Sequence, residues 1–296
     1  ENMSDERKSI IQALGGELVL TPAEESVQGA VNRVKEIQAA NPCVFVPQQF
    51  ENPDNPGVHY EQTAAEIWEQ MEGRVDAFVA GVGSGGTLAG VVRFLKEKRP
   101  EILGVAVEPA NVSALLGHGP GPHEIQGIGD GFVPAALDVS LVDEVVEVAN
   151  EDAIATAREL ARKEACLVGI SSGANVWAAL QVAKRLGPDK NVVTLMPDRA
   201  ERYFSTPLFQ DACQPGPPLM TERRRRHLTA TDPQPTLVPP LLQPVASGRR
   251  SRWMWQRQRW AIQWRLWLCR SQRSSLSRWG RFGVLRGPCC EARRRP

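Results

Sequence analysis

Apolar positions over the first 210 residues switch repeatedly between helical spacing and short β-branched runs, the rhythm of a chain that alternates helices with strands. Met3–Leu14 reads as a helix, with Ser4 at its N-cap and the Gly15-Gly16 pair as its stop. Glu17–Leu20 reads as a short strand, Ser26–Ala40 as an amphipathic helix, and Val44–Pro47 as a second short strand. The turn-rich run Asn52-Pro53-Asp54-Asn55-Pro56-Gly57 follows and marks a candidate domain boundary. Beyond it the pattern predicts a helix over Tyr60–Met71, strands at Ala77–Ala80 and Val105–Val107, and a helix from Leu88 to about Lys98. Helices over Asn150–Glu164, capped by Asn150, and over about Ala174–Leu186 come next, then a buried strand at Val192–Met196. Apolar strands separated by helices indicate a parallel sheet covered on both faces.

Charge changes this picture in one respect. The 296 residues carry a formal net charge of +1, yet nearly all the acidic residues precede residue 212. The stretch after Cys213 loses all periodicity and gathers arginine runs such as Arg223–Arg226 together with Trp253, Trp255, Trp260, Trp264, Trp267 and Trp279. Basic residues interleaved with aromatics can bind single-stranded nucleic acid or a membrane surface. An excess of Arg, Pro, Trp, Cys and Ser without a periodic core is also what a coding region gives when read out of frame. The expectation is a tail, 213–296, that is disordered and binds neither nucleic acid nor membrane.

No apolar run reaches the ~20 residues that cross a bilayer, and the polar start Glu1-Asn2-Met3-Ser4-Asp5 is unlike a signal sequence, which points to the cytoplasm. The cysteines are scattered, with Cys289 and Cys290 adjacent, so neither metal-ligand spacing nor a disulfide framework is present.

Candidate chemistry centres on Ala80-Gly81-Val82-Gly83-Ser84-Gly85-Gly86-Thr87, between a strand and a helix. The amides of such a loop and the helix N-terminus can cradle a phosphate. Gly81, Gly83 and Gly86 also fit the G-x-G-x-x-G of nicotinamide dinucleotide sites, with Glu108 at the end of the next strand, and a plain strand-to-helix turn is the third reading. Ser84 and Thr87 add hydroxyl donors, and Glu108 lies further on than the usual ~20 residues; both favour a phosphate monoester.

Further segments join this loop in one order: Met3-Ser4-Asp5-Glu6-Arg7, Gln48-Gln49-Phe50-Glu51-Asn52-Pro53, Pro120-Gly121-Pro122-His123-Glu124-Ile125-Gln126-Gly127-Ile128-Gly129, Gly169-Ile170-Ser171-Ser172-Gly173-Ala174 and Glu201-Arg202-Tyr203. Together they resemble cysteine synthase, the O-acetylserine sulfhydrylase branch of the fold-type II pyridoxal-phosphate enzymes, from Glu1 to about Phe209. The resemblance implies an α/β fold of the tryptophan synthase β type, with 1–52 a remnant of a small N-terminal domain and 53–212 a large cofactor-binding domain. It implies pyridoxal 5'-phosphate as cofactor, with Gly83, Ser84, Gly85, Gly86 and Thr87 on the phosphate and Ser171 at the pyridine nitrogen. Gln49, Phe50 and Gly127 would line the substrate side. Without the resemblance, Phe50 reads as core packing and Gln49 as a local hydrogen bond.

The implied activity is replacement of the acetate of O-acetylserine by sulfide to give cysteine. The implied partners are a second copy and serine acetyltransferase. Cystathionine β-synthase is the near alternative, although Gln126-Gly127-Ile128-Gly129-Asp130-Gly131-Phe132 is closer to cysteine synthase. In this family a lysine within S-x-K-D-R holds the cofactor as a Schiff base, and an S-G-N-T-G loop grips the substrate carboxylate; neither segment occurs here. Lys8, Lys35, Lys96, Lys98, Lys163, Lys184 and Lys190 all lie in charged surroundings or in a loop. The expectation is a truncated chain that is inactive alone, with no catalytic residue and no metal site.

Overall fold

A computed structural model describes residues 1–210. The tail expected over 213–296 lies outside the described residues, and with it the readings placed on its arginines and tryptophans. In chain order the elements are helices α1 (Asp5–Ala13) and α2 (Ser26–Ala40), then α3 (Asp54–Val58), a π-turn (His59–Thr63) and α4 (Ala64–Gln70). Strand β1 (Ala77–Gly81), helix α5 (Gly86–Lys98), strands β2 (Leu103–Pro109) and β3 (Glu144–Val148), helices α6 (Asn150–Glu164) and α7 (Ile170–Leu186), strand β4 (Val192–Thr194) and the short α8 (Pro207–Gln210) complete them.

The strands form one parallel sheet in the order β3-β2-β1-β4. Alternation along β1 explains its two-sided burial. Ala77 and Val79 join Val105 and Val107 in a core against α6 and α7, whereas Phe78 and Ala80 join Ala106 in a second core against α4 and α5. Both faces are thus covered, as the unbroken apolar strands predict. Helices α6 and α7 touch closely because a side chain on Gly173 would stand 2.1 Å from the Ala153 carbonyl oxygen.

The first 52 residues are organised differently. Ser4 and Gly29 are the buried positions there, neither core includes any of them, and Leu14 and Phe45 are more than four-fifths exposed. The strands expected at Glu17–Leu20 and Val44–Pro47 do not form among the described residues, because no strand lies beside them to complete a ladder. The 52–57 run is mostly helical: Asn52 Oδ1 accepts from the Asp54 amide (2.9 Å), and Pro56 sits in the first turn of α3, where its missing N–H costs nothing. Two expected caps are used elsewhere. Ser4 makes no side-chain cap but accepts from Arg7 (3.2 Å), and Asn150 Oδ1 accepts from the Glu124 amide (3.0 Å) rather than capping α6.

Candidate cofactor site

Strand order reverses beside β1. From β1 the chain steps outward to β2 and β3, then returns through α6 and α7 to place β4 on the other side. In sheets of this kind the crevice at the carboxyl ends of the strands flanking that reversal is where ligands sit. The glycine loop leaves β1 at this point, and α7 opens near it. Asn175 of α7 donates to the Leu195 carbonyl just past β4 (3.0 Å), while its own Oδ1 is buried without a partner among the described residues and lies 3.1 Å from where a Gly81 side chain would stand.

The loop has the backbone form of an anion cradle. The backbone N–H groups of Gly83, Ser84, Gly85, Gly86, Thr87 and Leu88 find no acceptor among the described residues, and the first α5 bond runs from Ala89 to the Gly85 carbonyl. Gly85 takes φ +76°, the left-handed conformation that lets successive amides turn toward one point. The back of the loop is filled instead of open. Side chains on Gly83 and Gly86 would meet the Gly127 carbonyl oxygen at 2.5 Å and Asn55 Oδ1 at 2.1 Å, so larger residues would push the supporting loops away.

Both loop hydroxyls are oriented by residues that sequence reasoning missed. Asn55 Nδ2 donates to Ser84 Oγ (2.9 Å) and to the Gln49 carbonyl (2.8 Å), leaving the Ser84 proton for a ligand. His59 Nε2 lies 3.1 Å from Thr87 Oγ1 and its Nδ1 lies 3.0 Å from Thr63 Oγ1; burial lowers its pKa and favours the neutral ring. With Nε2 protonated, His59 donates to Thr87 and frees that hydroxyl proton for an anion. His59 sits in the π-turn, a local irregularity of the kind that often marks functional positions.

Ser171, buried at the second position of α7, has no side-chain hydrogen bond among the described residues. Gly127, at φ +102°, presents its carbonyl to Gly83. Gln49 is exposed and enters the network through its backbone, and the Phe50 ring packs edge-on against Phe132 at 5.1 Å. Gln49, Ser84 and Gly86 therefore meet around Asn55, and Gly127 meets Gly83. Asp130, on the same loop as Gly127, has its Oδ2 3.8 Å from the position of a Gly83 side chain, and burial raises its pKa to about 6.

The arrangement fits one end of a phosphorylated pyridine. Among the described residues it offers amides and hydroxyls for a phosphate and a buried neutral hydroxyl for a ring nitrogen, but no lysine amine. Lys8, Lys96, Lys163 and Lys190 pair with Asp5, Asp143, Glu159 and Asp76, Lys98 lies over the Phe94 ring, and Lys35 and Lys184 are exposed. The dinucleotide reading fails at Glu108. That carboxylate is buried at the end of β2 and accepts from Ser113 Oγ (2.7 Å) and the Leu115 amide (3.1 Å), so it is turned inward and away from any ribose. No cluster of potential metal ligands occurs among the described residues.

Residues 1–198 match the family of pyridoxal-phosphate dependent enzymes. The chain belongs to that family. A curated cysteine synthase of Staphylococcus aureus (strain Mu50 / ATCC 700699) is 49% identical over 210 residues, which are 71% of this chain and 67% of that protein. The crystal structure of cysteine synthase (OASS) from Entamoeba histolytica is 41% identical with a TM-score of 0.65, over 70% of this chain and 62% of the other. An O-acetylserine dependent cystathionine β-synthase from Helicobacter pylori is 43% identical with a TM-score of 0.67, over 71% and 68%. This pyridoxal-phosphate family member thus spans about two thirds of these relatives. Its fold-type II α/β architecture and its cofactor follow from that membership. No helix among the described residues is long and apolar enough to cross a membrane.

Proposed function

We propose that this chain is the phosphate-binding and ring-binding part of a cysteine synthase, which exchanges the acetate of O-acetylserine for sulfide. The observation that carries the reading is the row of amides at Gly83–Leu88, without acceptors among the described residues and backed by Gly127 and Asn55, in a chain whose family binds pyridoxal phosphate. Gly83, Ser84, Gly85, Gly86 and Thr87 hold the phosphate, and His59 and Asn55 orient its two hydroxyl donors. Ser171 meets the ring nitrogen through a neutral hydroxyl, which leaves the ring a milder electron sink than a carboxylate partner would. When bound, the cofactor supplies delocalisation for charge at the substrate α-carbon.

Gln49 and Gly127 line the substrate side, and Phe50 with Phe132 forms an apolar wall there. The α-proton must leave to a base, and the lysines of this chain are paired, stacked on a ring or solvent-exposed. Sustained turnover therefore needs a lysine-bearing segment beyond these 296 residues. Residues 1–52 belong with that segment as the smaller domain, and 53–212 form the larger. The whole enzyme is a cytoplasmic homodimer that also takes the C-terminus of serine acetyltransferase. The similarity to an O-acetylserine dependent cystathionine β-synthase supports a second reading, in which the same site accepts a thiol in place of sulfide.

The test is a titration of the purified chain with pyridoxal phosphate, followed by O-acetylserine. The expected result is saturable binding with the absorbance of the free aldehyde, lost in a Ser84→Ala/Thr87→Val variant and unchanged by O-acetylserine. Cysteine formation by the chain alone would overturn the reading, as would indifference of cofactor affinity to the two hydroxyls.

A further inference from the structure

Arg7 on α1 points inward, with 24% of its side chain exposed, and its guanidinium reaches both walls of the candidate site. Toward the first wall, Nη1 donates to Gln126 Oε1 at 2.5 Å. Gln126 precedes Gly127, whose carbonyl backs Gly83; Ile128 packs over Gly81, and the Gly129 amide donates to the Val82 carbonyl at 3.0 Å. Fixing Gln126 thus fixes the loop that lies on the phosphate cradle.

Toward the second wall, Nη2 donates to Tyr203 OH at 2.7 Å, and the guanidinium carbon stands 4.6 Å from the centre of the Tyr203 ring. Tyr203 OH in turn donates to Asp198 Oδ2 at 2.5 Å, and Arg7 itself lies 3.7 Å from that oxygen. Asp198 governs the start of α7: its carbonyl accepts from the Gly169 amide at 3.2 Å, and its Oδ1 occupies the space a Gly169 side chain would need, 2.1 Å away. Ser171 is two residues further on.

We propose that Arg7 is a positioning residue that holds the Gly127 loop and the Ser171 end of α7 at the spacing one cofactor molecule requires. The inference rests on the reading of this site as a pyridoxal-phosphate site. A planar fork suits the role, because two donors of one rigid group must reach Gln126 and Tyr203 at once; an ammonium is a single point on a flexible stem and satisfies one of them. The Glu6 carboxylate accepts from the Ser205 hydroxyl (2.8 Å) and amide (3.0 Å), and the Asp5 amide donates to Ser205 Oγ (3.2 Å); these bonds anchor the helix that carries the arginine.

The test compares two ligands on Arg7→Met and Arg7→Lys. Inorganic phosphate touches the glycine loop alone, whereas pyridoxal phosphate spans both walls. The expected result is a loss of roughly tenfold in pyridoxal phosphate affinity in both variants, with phosphate affinity held within about twofold. Amide exchange should quicken at 124–131 and 169–173. Equal loss of both ligands, or loss of neither, overturns the proposal, as does full rescue by lysine. A wild-type chain that binds phosphate but not pyridoxal phosphate would instead sink the cofactor reading beneath it. Tyr203→Phe severs the hydroxyl arm while keeping the ring, and carries the same expectation of a selective pyridoxal phosphate loss should the Arg7 variants fail to fold.

Discussion

Replacing Asp130 by Asn should stabilise the protein at neutral pH and leave it unchanged in acid. The Asp130 carboxyl is held near Gly83, and burial raises its pKa from the usual 3.8 to about 6. A carboxyl whose pKa is raised on folding binds its proton more tightly in the native state. That state gains stability when the group is protonated, fully so below the unfolded value near 4, and the gain is lost as pH rises through about 6. A displacement of about two pH units corresponds to roughly 2–3 kcal/mol. Asn is neutral at every pH and escapes this loss. Urea denaturation followed by far-ultraviolet circular dichroism, run on both proteins from pH 4 to pH 8, should give equal stabilities at the acid end. The variant should lead by about 2–3 kcal/mol above pH 7, and the difference between the two curves cancels every other titrating group. A difference constant across the range would mean that Asp130 ionises as freely in the fold as in the unfolded chain, and would refute the reasoning.

Gly173→Ala should cost about 1–3 kcal/mol in the same assay, because the added carbon would stand 2.1 Å from the Ala153 backbone oxygen and must separate α6 from α7. Glu108→Ala should cost roughly 2 kcal/mol by leaving Ser113 Oγ and the Leu115 amide without their acceptor, while phosphate affinity measured by calorimetry stays as in the wild type.

The parts of the fold legible in the sequence are those whose signal is local. The loop at 83–87 shows itself because its chemistry resides in backbone conformation, and glycine spacing encodes that directly. β1, β2 and β4 are visible as apolar runs because both faces are buried. β3 is not, since Glu144-Val145-Val146-Glu147-Val148 lies at the sheet edge and is mostly half-buried. The helical start at Asp54 was obscured by two prolines and a glycine that a first turn tolerates. Asn55, His59 and Asp130 were beyond reach for another reason. Each acts on a loop dozens of residues away, and nothing in its own neighbourhood records that meeting. Glu17–Leu20 and Val44–Pro47 carry strand composition without strand structure, because pairing is a property of two segments and composition of one.

The placement of β4 also governs how the chain can assemble. Its Thr194 hydroxyl donates to the Val79 carbonyl across 115 positions of sequence, and Asp76 reaches Asn191 over the same span. Until those residues have left the ribosome, the central strand β1 has one bare edge and the switch-point crevice has one side. The nascent chain must therefore carry a central apolar strand with one edge bare while these 115 positions are made, the condition under which strands seek partners in other molecules. Any product that stops short of residue 194 would keep that edge open for its lifetime and would be a substrate for chaperones and proteases rather than for pyridoxal phosphate.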